Sequence, residues 1–316
     1  MTESTEYLQD HLVKHFGKDT DVIALRGAGW SERIHIEADI LVGSEKMDLF
    51  LKWMRPQGQT AEIYAYDHIL PLLSIRTPHF YGSFPDYEYP TRWLILERLN
   101  GRPVRRDRQD DIIPVFHILG SLHGQGKAHP PLCSQDTEHL RFPKSQIEGD
   151  PTTIKDTLAA NLEELCLDRK VPEAFDQCMG YLCAAPKTWI HGDNDGSNIL
   201  LHSDGVRLID WEALSWAPPA VGLGNFCARM PASLIKEGLY AYRRGYCEAS
   251  GEKMLTDKVQ EWICHGVFFH GARWLSRHCQ RVHNESWRRE WFRTVGVSLV
   301  EAINQLIAQG ELDSTG

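Results

Sequence analysis

The chain has 316 residues, 42% of them hydrophobic and 24% charged, which is the composition of a globular protein and not of a disordered or fibrous one. Acidic residues outnumber basic ones by 43 to 34, a formal net charge of −9 that argues against a nucleic-acid binder and mildly favours a cationic ligand. The N-terminal stretch MTESTEYLQDHLVKHFG is polar and amphipathic, unlike a secretory signal, and the longest uncharged run, 213–228, is broken by Pro218 and Pro219. No membrane association is expected.

The eight cysteines, at 133, 166, 178, 183, 227, 247, 264 and 279, form no C-x-x-C pair. They read as reduced thiols of a cytoplasmic protein.

In chain order, Arg33 to Ile40 alternates polar and apolar residues, the period of a half-buried strand. Gly43-Ser44-Glu45-Lys46 is a turn, and Asp48 to Met54 resumes the extended pattern to complete a hairpin. Thr60 to Leu70 has the texture of a helix that Pro71 ends. Phe80-Tyr81 and Trp93 to Leu96 are two further strands. After Asn100-Gly101-Arg102-Pro103 the pattern turns helical, over 112–123, 153–167, 232–249, 257–279 and 287–308. One hairpin interrupts these helices: Asn198 to Leu201, a turn at Ser203-Asp204-Gly205, then Val206 to Asp210. Asp-Gly there predicts a tight turn with positive φ at both residues. The pattern is α+β: a small β-rich lobe with one helix over 1–98, and a larger, mainly helical lobe over 99–316.

The most informative stretch is His191-Gly192-Asp193-Asn194-Asp195-Gly196-Ser197-Asn198, followed after the hairpin by Ile209-Asp210-Trp211-Glu212. Singly, each polar residue is an ordinary turn former or cap. Together they have the logic of phosphoryl transfer. Asp193 can orient a hydroxyl and accept its proton. Asn198 can return to the same pocket, and the hairpin brings Asp210 beside it as a second oxygen ligand for Mg²⁺.

These motifs resemble the catalytic and metal-binding loops of aminoglycoside phosphotransferases, choline kinases and their relatives, which share a bilobal protein-kinase-like fold. The resemblance runs from about residue 20 to about residue 250. It implies ATP, with GTP as the alternative, and Mg²⁺ as cofactors. Asp193 is then the catalytic base, and Asn198 and Asp210 are the metal ligands. It further implies that Lys52, paired with Glu62, meets the nucleotide phosphates. Gly27, Gly29 and Ser31 form a phosphate-approaching loop, and Glu97 and Leu99 lie at the hinge beside the base.

The implied acceptor is a hydroxyl of a small molecule, either an aminoglycoside-like antibiotic or a metabolite alcohol, in a monomer or homodimer. Relatives carry a second aspartate in a segment resembling D-P-x-x-D-L, where this chain has Pro218 to Leu223 with Gly222 in place of the acid. That departure is the one feature that favours a catalytically silent nucleotide- or ligand-binding relative.

Three other groups read as structural. His123 is expected to be structural, and His191 to anchor the loop backbone and not to act as the base. The Cys and His residues of 262–279 lack a four-ligand zinc pattern and fit an amphipathic helix with Trp262, Phe268, Phe269 and Trp274 in the core. Arg102, Arg105, Arg106 and Arg108, interleaved with Asp107, Asp110 and Asp111, read as a solvated loop.

Overall fold

The computed structural model describes residues 2–28, 35–54, 56–86, 88–131, 135–146, 150–228 and 230–280, with 300, 301, 303, 304 and 306 beyond them. The helix predicted over 287–308 falls almost wholly outside these residues, as do Gly29, Ser31 and Cys133.

Strands β1 (Thr20–Ala28), β2 (His35–Val42), β3 (Glu45–Trp53), β4 (Phe80–Pro85) and β5 (Arg92–Glu97) form one antiparallel sheet in the order β1-β2-β3-β5-β4. The alternation read from the sequence sorts their side chains onto two faces. Ala38, Ile40, Leu49, Leu51, Trp93 and Ile95 pack with Leu8 and Leu12 of the N-terminal helix α1 (Thr2–Phe16). Met54, Leu94 and Leu96 point the other way, into the core shared with the helical lobe. By the same parity Lys52 faces that second side, away from Leu49 and Leu51. The hairpin of β2 and β3 closes on Gly43 and Ser44, with Gly43 at φ 61°.

Helix α2 (Pro56–Tyr64) lies between β3 and β4. Pro71 does not stop the helical path where expected. A π-turn over Ala65–Ile69 leads into a 3₁₀ turn over Leu70–Leu72, and Pro71 sits within the first residues of that new turn, where its missing N–H costs nothing.

The helical lobe contains β6 (Arg102–Pro103), α3 (Gln109–Gly126), α4 (Pro151–Ala160), α5 (Val171–Ala184), β7 (Thr188–Ile190), β8 (Ile199–His202), β9 (Gly205–Leu208), β10 (Ser215–Ala217), α6 (Pro219–Cys227), α7 (Ala232–Ser250) and α8 (Thr256–Gln280). Helix α4 begins on Asp150, whose side chain accepts from Thr152 N, and stops seven residues before the predicted end at 167. Trp262, Phe268 and Phe269 of α8 are buried in the core, and Trp274 is half-buried against it. No helix among the described residues is long and apolar enough to cross a membrane.

Two small sheets, β6-β8-β9 and β7-β10, carry the loops of the expected site. The β8–β9 turn differs from the tight Asp-Gly form. His202 pairs with Gly205, so Ser203 and Asp204 are the turn residues, and of the pair only Gly205 has positive φ, at 127°. Asp204 instead accepts from Arg207 Nη2 at 2.7 Å and bridges to Arg76 at 3.2 Å. Leu208 N donates to Arg76 O at 3.2 Å and Arg207 Nη1 to Thr77 O at 3.0 Å, so the hairpin is docked on the segment between α2 and β4.

Helix α6 is buried along its whole length. It approaches α8 so closely that a Cβ on Gly224 would stand 2.0 Å from the carbonyl carbon and oxygen of Gly266. Only glycine fits there, because the obstacle is backbone. Gly224→Ala is therefore expected to lower the unfolding free energy by about 1–3 kcal/mol in a urea titration, the usual cost of overpacking. An unchanged midpoint would mean that the two helices can separate without loss.

Candidate active site

The geometry centres on Lys52. Its ammonium lies 2.5 Å from Glu62 Oε2 and 2.6 Å from Asp210 Oδ1. Lys52 and Glu62 are buried, at 5% and 0% exposure, so neither charge is solvated by bulk water. Burial by itself would lower the lysine pKa, but Glu62 and Asp210 outweigh it and hold the group charged. Burial pushes the Glu62 carboxyl up to about 7 against the opposing pull of Lys52. The second Glu62 oxygen accepts from Trp211 N at 3.3 Å, which ties α2 to the residue after Asp210.

Asp210 itself adopts φ 65°, ψ 66°, a left-handed conformation that costs a non-glycine residue of order 1–3 kcal/mol. That turn ends β9 and swings the carboxylate toward the sheet lobe. His191 steadies the approach, because its Nε2 is 2.7 Å from Ile209 O. A carbonyl can only accept, so the ring carries its proton on Nε2. Burial lowers its pKa and keeps it neutral, although Asp193 pulls the other way.

The loop after β7 places the other expected residues. Gly192 has φ 82°, and a Cβ there would stand 1.9 Å from Ala213 O, so the loop can pass only as glycine. Asn198 Nδ2 donates to both Asp193 O and Asp193 Oδ2 at 3.1 Å. That orientation leaves the Asn198 amide oxygen for another partner. Asn198 and Asp210 both line a cleft of about 270 Å³ with Lys52, Phe50, Leu96, Glu97, Leu99, Leu200 and Ile209. An amide oxygen beside a carboxylate is a hard donor set that suits Mg²⁺. Among the described residues no group of three or more His, Cys, Asp or Glu could hold a metal alone, so phosphate and water oxygens would have to supply the rest.

Glu97 and Leu99 thus stand at the cleft. Glu97 Oε2 accepts from His79 N at 3.0 Å, and its own N–H donates to His79 O at 2.8 Å. Gly27 lies near the end of β1, with no atom of the described residues within 4 Å of its Cβ position.

Two expectations change. Arg106 is not part of a solvated loop. Its side chain is 13% exposed, lies 5.6 Å over the Phe226 ring, donates to Asn194 O at 2.9 Å and bridges to Asp195 at 3.5 Å. Arg102, Arg105 and Arg108 are exposed as expected, and Arg102 donates a pair of hydrogen bonds to Asp111, 2.6 Å to each oxygen, which hold that buried carboxyl down at about 2. Loop arginines beside aspartates look solvated in sequence, and only the tertiary partners, Phe226 and the 194–195 backbone, distinguish Arg106.

The second change concerns Gly222. A Cβ there would lie 3.2 Å from His123 Nε2 and 3.4 Å from Ile190 Cβ, so the position faces His123. His123 Nδ1 is 2.8 Å from Tyr242 OH, and complete burial lowers its pKa to about 3. Sequence reading also missed Asn225, whose Nδ2 lies 3.4 Å from Asp193 Oδ1, and Gln146, which bonds Ser215 Oγ at 2.6 Å and Arg273 at 3.0 Å. Neither belongs to a local motif.

The family model of the phosphotransferase enzyme family matches residues 35–260, and the chain belongs to that family. No curated protein matches it in sequence. Among solved structures it is similar to choline kinase from Cryptosporidium parvum Iowa II, with a TM-score of 0.62 at 14% identity over 98% of each chain. It is also similar to APH(2")-IIIa in complex with GDP and kanamycin, with a TM-score of 0.60 at 14% identity over 96% of this chain and 99% of that one. A third is macrolide 2'-phosphotransferase from Brachybacterium faecium, with a TM-score of 0.57 at 16% identity over 95% and 97%. These likenesses establish the bilobal protein-kinase-like fold.

Removing the lysine leaves two carboxylates facing each other in a buried site. Lys52→Met is expected to lower the unfolding free energy by about 3–5 kcal/mol at pH 8, the usual cost of breaking a buried ion pair. Lys52 pulls the Glu62 pKa down against burial, so without it the folded carboxyl takes up its proton at a higher pH than in the wild type, and the variant's folded state gains more protons relative to the unfolded chain as pH falls. The deficit should therefore shrink toward pH 5. Urea titrations at the two pH values check this, and a deficit that grows on acidification would contradict the placement of Glu62.

Proposed function

We propose that this phosphotransferase moves the γ-phosphoryl group of ATP, with GTP as the alternative donor, to a hydroxyl of a small molecule. The observation that carries the reading is the buried Lys52 ammonium clasped by Glu62 and Asp210 on the wall of the cleft that Asn198 also lines. A silent relative usually loses one of Lys52, Glu62, Asp193, Asn198 and Asp210, and all five are present here, while the Gly222 position faces His123.

On this reading the sheet lobe, 1–98, holds the nucleotide, with Leu96, Glu97 and Leu99 beside the base and Gly27 near the phosphates. The lobe from 99 onward supplies the Asp193 loop and the acceptor pocket. Lys52 meets the phosphates while Glu62 keeps its ammonium aligned. Asn198 and Asp210 would hold Mg²⁺, which when bound neutralises charge on the phosphate oxygens. Asp193 accepts the hydroxyl proton of the acceptor as its oxygen attacks phosphorus and the bond to the leaving nucleoside diphosphate breaks. The arrangement catalyses by positioning and electrostatics. Acceptors of the two kinds named for the similar structures, an aminoglycoside and a small alcohol such as choline, fit this chemistry, and the acidic net charge suits a cationic acceptor.

The test is ADP release from Mg·ATP with kanamycin, a macrolide, choline and other alcohols as acceptors. Turnover with at least one is expected, and Asp193→Ala should reduce its kcat by at least ~10²-fold, the scale of general-base contributions. Unchanged turnover in that variant would remove Asp193 from the reaction.

A further inference from the structure

The position of the expected base depends on a helix outside the catalytic motifs. Asp193 Oδ2 accepts from Asn198, a residue of its own loop, at 3.1 Å. Its other oxygen, Oδ1, faces Asn225 Nδ2 at 3.4 Å, and the same amide nitrogen lies 3.3 Å from Gly192 O. Both neighbours are acceptors only, so the nitrogen of the Asn225 amide is the atom turned toward them. Asn225 is 8% exposed on α6, and α6 is seated against α8 at the glycine contact described above.

Asn225 thus connects the carboxylate to a part of the molecule that cannot move with the loop. Two further ties run between the same elements. Asn194 Nδ2 donates to Gly222 O at 2.9 Å, and Arg106 Nη2 reaches Asn194 O at 2.9 Å and Asn225 O at 3.5 Å. Both end on backbone carbonyls. Of the three, Asn225 alone reaches the Asp193 carboxylate.

We propose, resting on the phosphoryl-transfer reading above, that Asn225 is the positioning residue that sets the rotamer of the Asp193 carboxylate for proton acceptance. A carboxylate offers about four lone-pair directions, so two amide donors fix its plane and leave directions open toward the acceptor hydroxyl. The 3.3 and 3.4 Å separations are at the long end for such bonds, as in unliganded active sites, where they tighten when substrate binds. Asn225 touches no reacting atom and acts through Asp193.

The test compares Asn225→Leu, close in size and without a donor, with the wild type in Mg·ATP turnover, using kanamycin, choline and water as acceptors. Loss of a hydrogen bond to a charged group should lower kcat by about tenfold to a hundredfold. KM for ATP and for the acceptor should stay within about twofold, because the ground-state contacts are untouched. A merely structural residue would not spare KM in this way.

In an Asp193→Ala background Asn225→Leu should change the residual rate no further, since the group it acts on is gone. Wild-type kcat in Asn225→Leu, or a full additional loss in the Asp193→Ala background, overturns the proposal. If the leucine variant does not fold, Asn225→Asp serves instead. It keeps the shape, cannot donate when ionised, and sets a like charge beside Asp193, so its kcat should fall at least as far, and an undiminished kcat overturns the proposal equally. Undiminished turnover in Asp193→Ala alone removes Asp193 from the reaction and this proposal with it, and no wild-type turnover with any of the three acceptors refutes the kinase reading on which both rest. An intact Asp193 effect without an Asn225 effect refutes only this proposal.

Discussion

The ammonium of Lys52 draws together β3, the α2 helix that follows it and the distant turn after β9. An ion buried this deeply is tolerated only when its partners are close and fixed, because the desolvation cost of each charge otherwise exceeds the attraction between them. The local structure around it meets that demand piece by piece. Strand parity turns Lys52 away from the Leu49–Leu51 face, α2 delivers Glu62 opposite, and the left-handed turn at Asp210 brings a second carboxylate across from the other lobe. The strain of that turn is offset by neighbours, with His191 bonded to Ile209 O just before it and Glu62 bonded to Trp211 N just after it. Without the clasp the cleft would lose an ion pair that joins its two walls.

The second organising element is α6. It supplies the glycine contact to α8, the carbonyl that Asn194 binds and the amide that faces Asp193. The loop that carries Asp193 is short and rich in turn residues, and such loops keep a fixed shape only when rigid elements hold them. Gly222, the position where relatives carry an acid, belongs to this helix. Its empty side points at His123, so its effect falls on the packing between α3 and α6.

Much of this was legible in the sequence for definite physical reasons. The period-two alternation of 33–40, the turn at 43–46 and the second extended run over 48–54 specified the hairpin that carries Lys52. That Asn198 and Asp210 would meet on one cleft could be expected because a hairpin brings the two together. What could not be read depends on contacts between distant segments. Asn225 sits in an apolar run, Ala220 to Phe226, and nothing local separates it from a helix residue turned to solvent. Arg106 stands among other arginines and aspartates, and its burial against Phe226 follows from the crossing of two elements. The turn at 203–205 was misread in detail because Asp204 is recruited by Arg207 and Arg76, which lie outside the hairpin tip. Pro71 was misread as a stop because a proline can also open a new turn.

The central claim is that Lys52 is held ready for nucleotide phosphates by Glu62, while Asp210 is the partner it must share with the metal. A crystal structure with Mg²⁺ and a non-hydrolysable ATP analogue tests this directly. The account expects the Lys52–Glu62 pair to persist, the Lys52–Asp210 contact of 2.6 Å to open, and Asp210 to turn with Asn198 toward the metal while the ammonium meets phosphate oxygens. A nucleotide bound elsewhere, or one bound in the cleft with Lys52 and Asp210 still paired and no metal on Asp210, would contradict it.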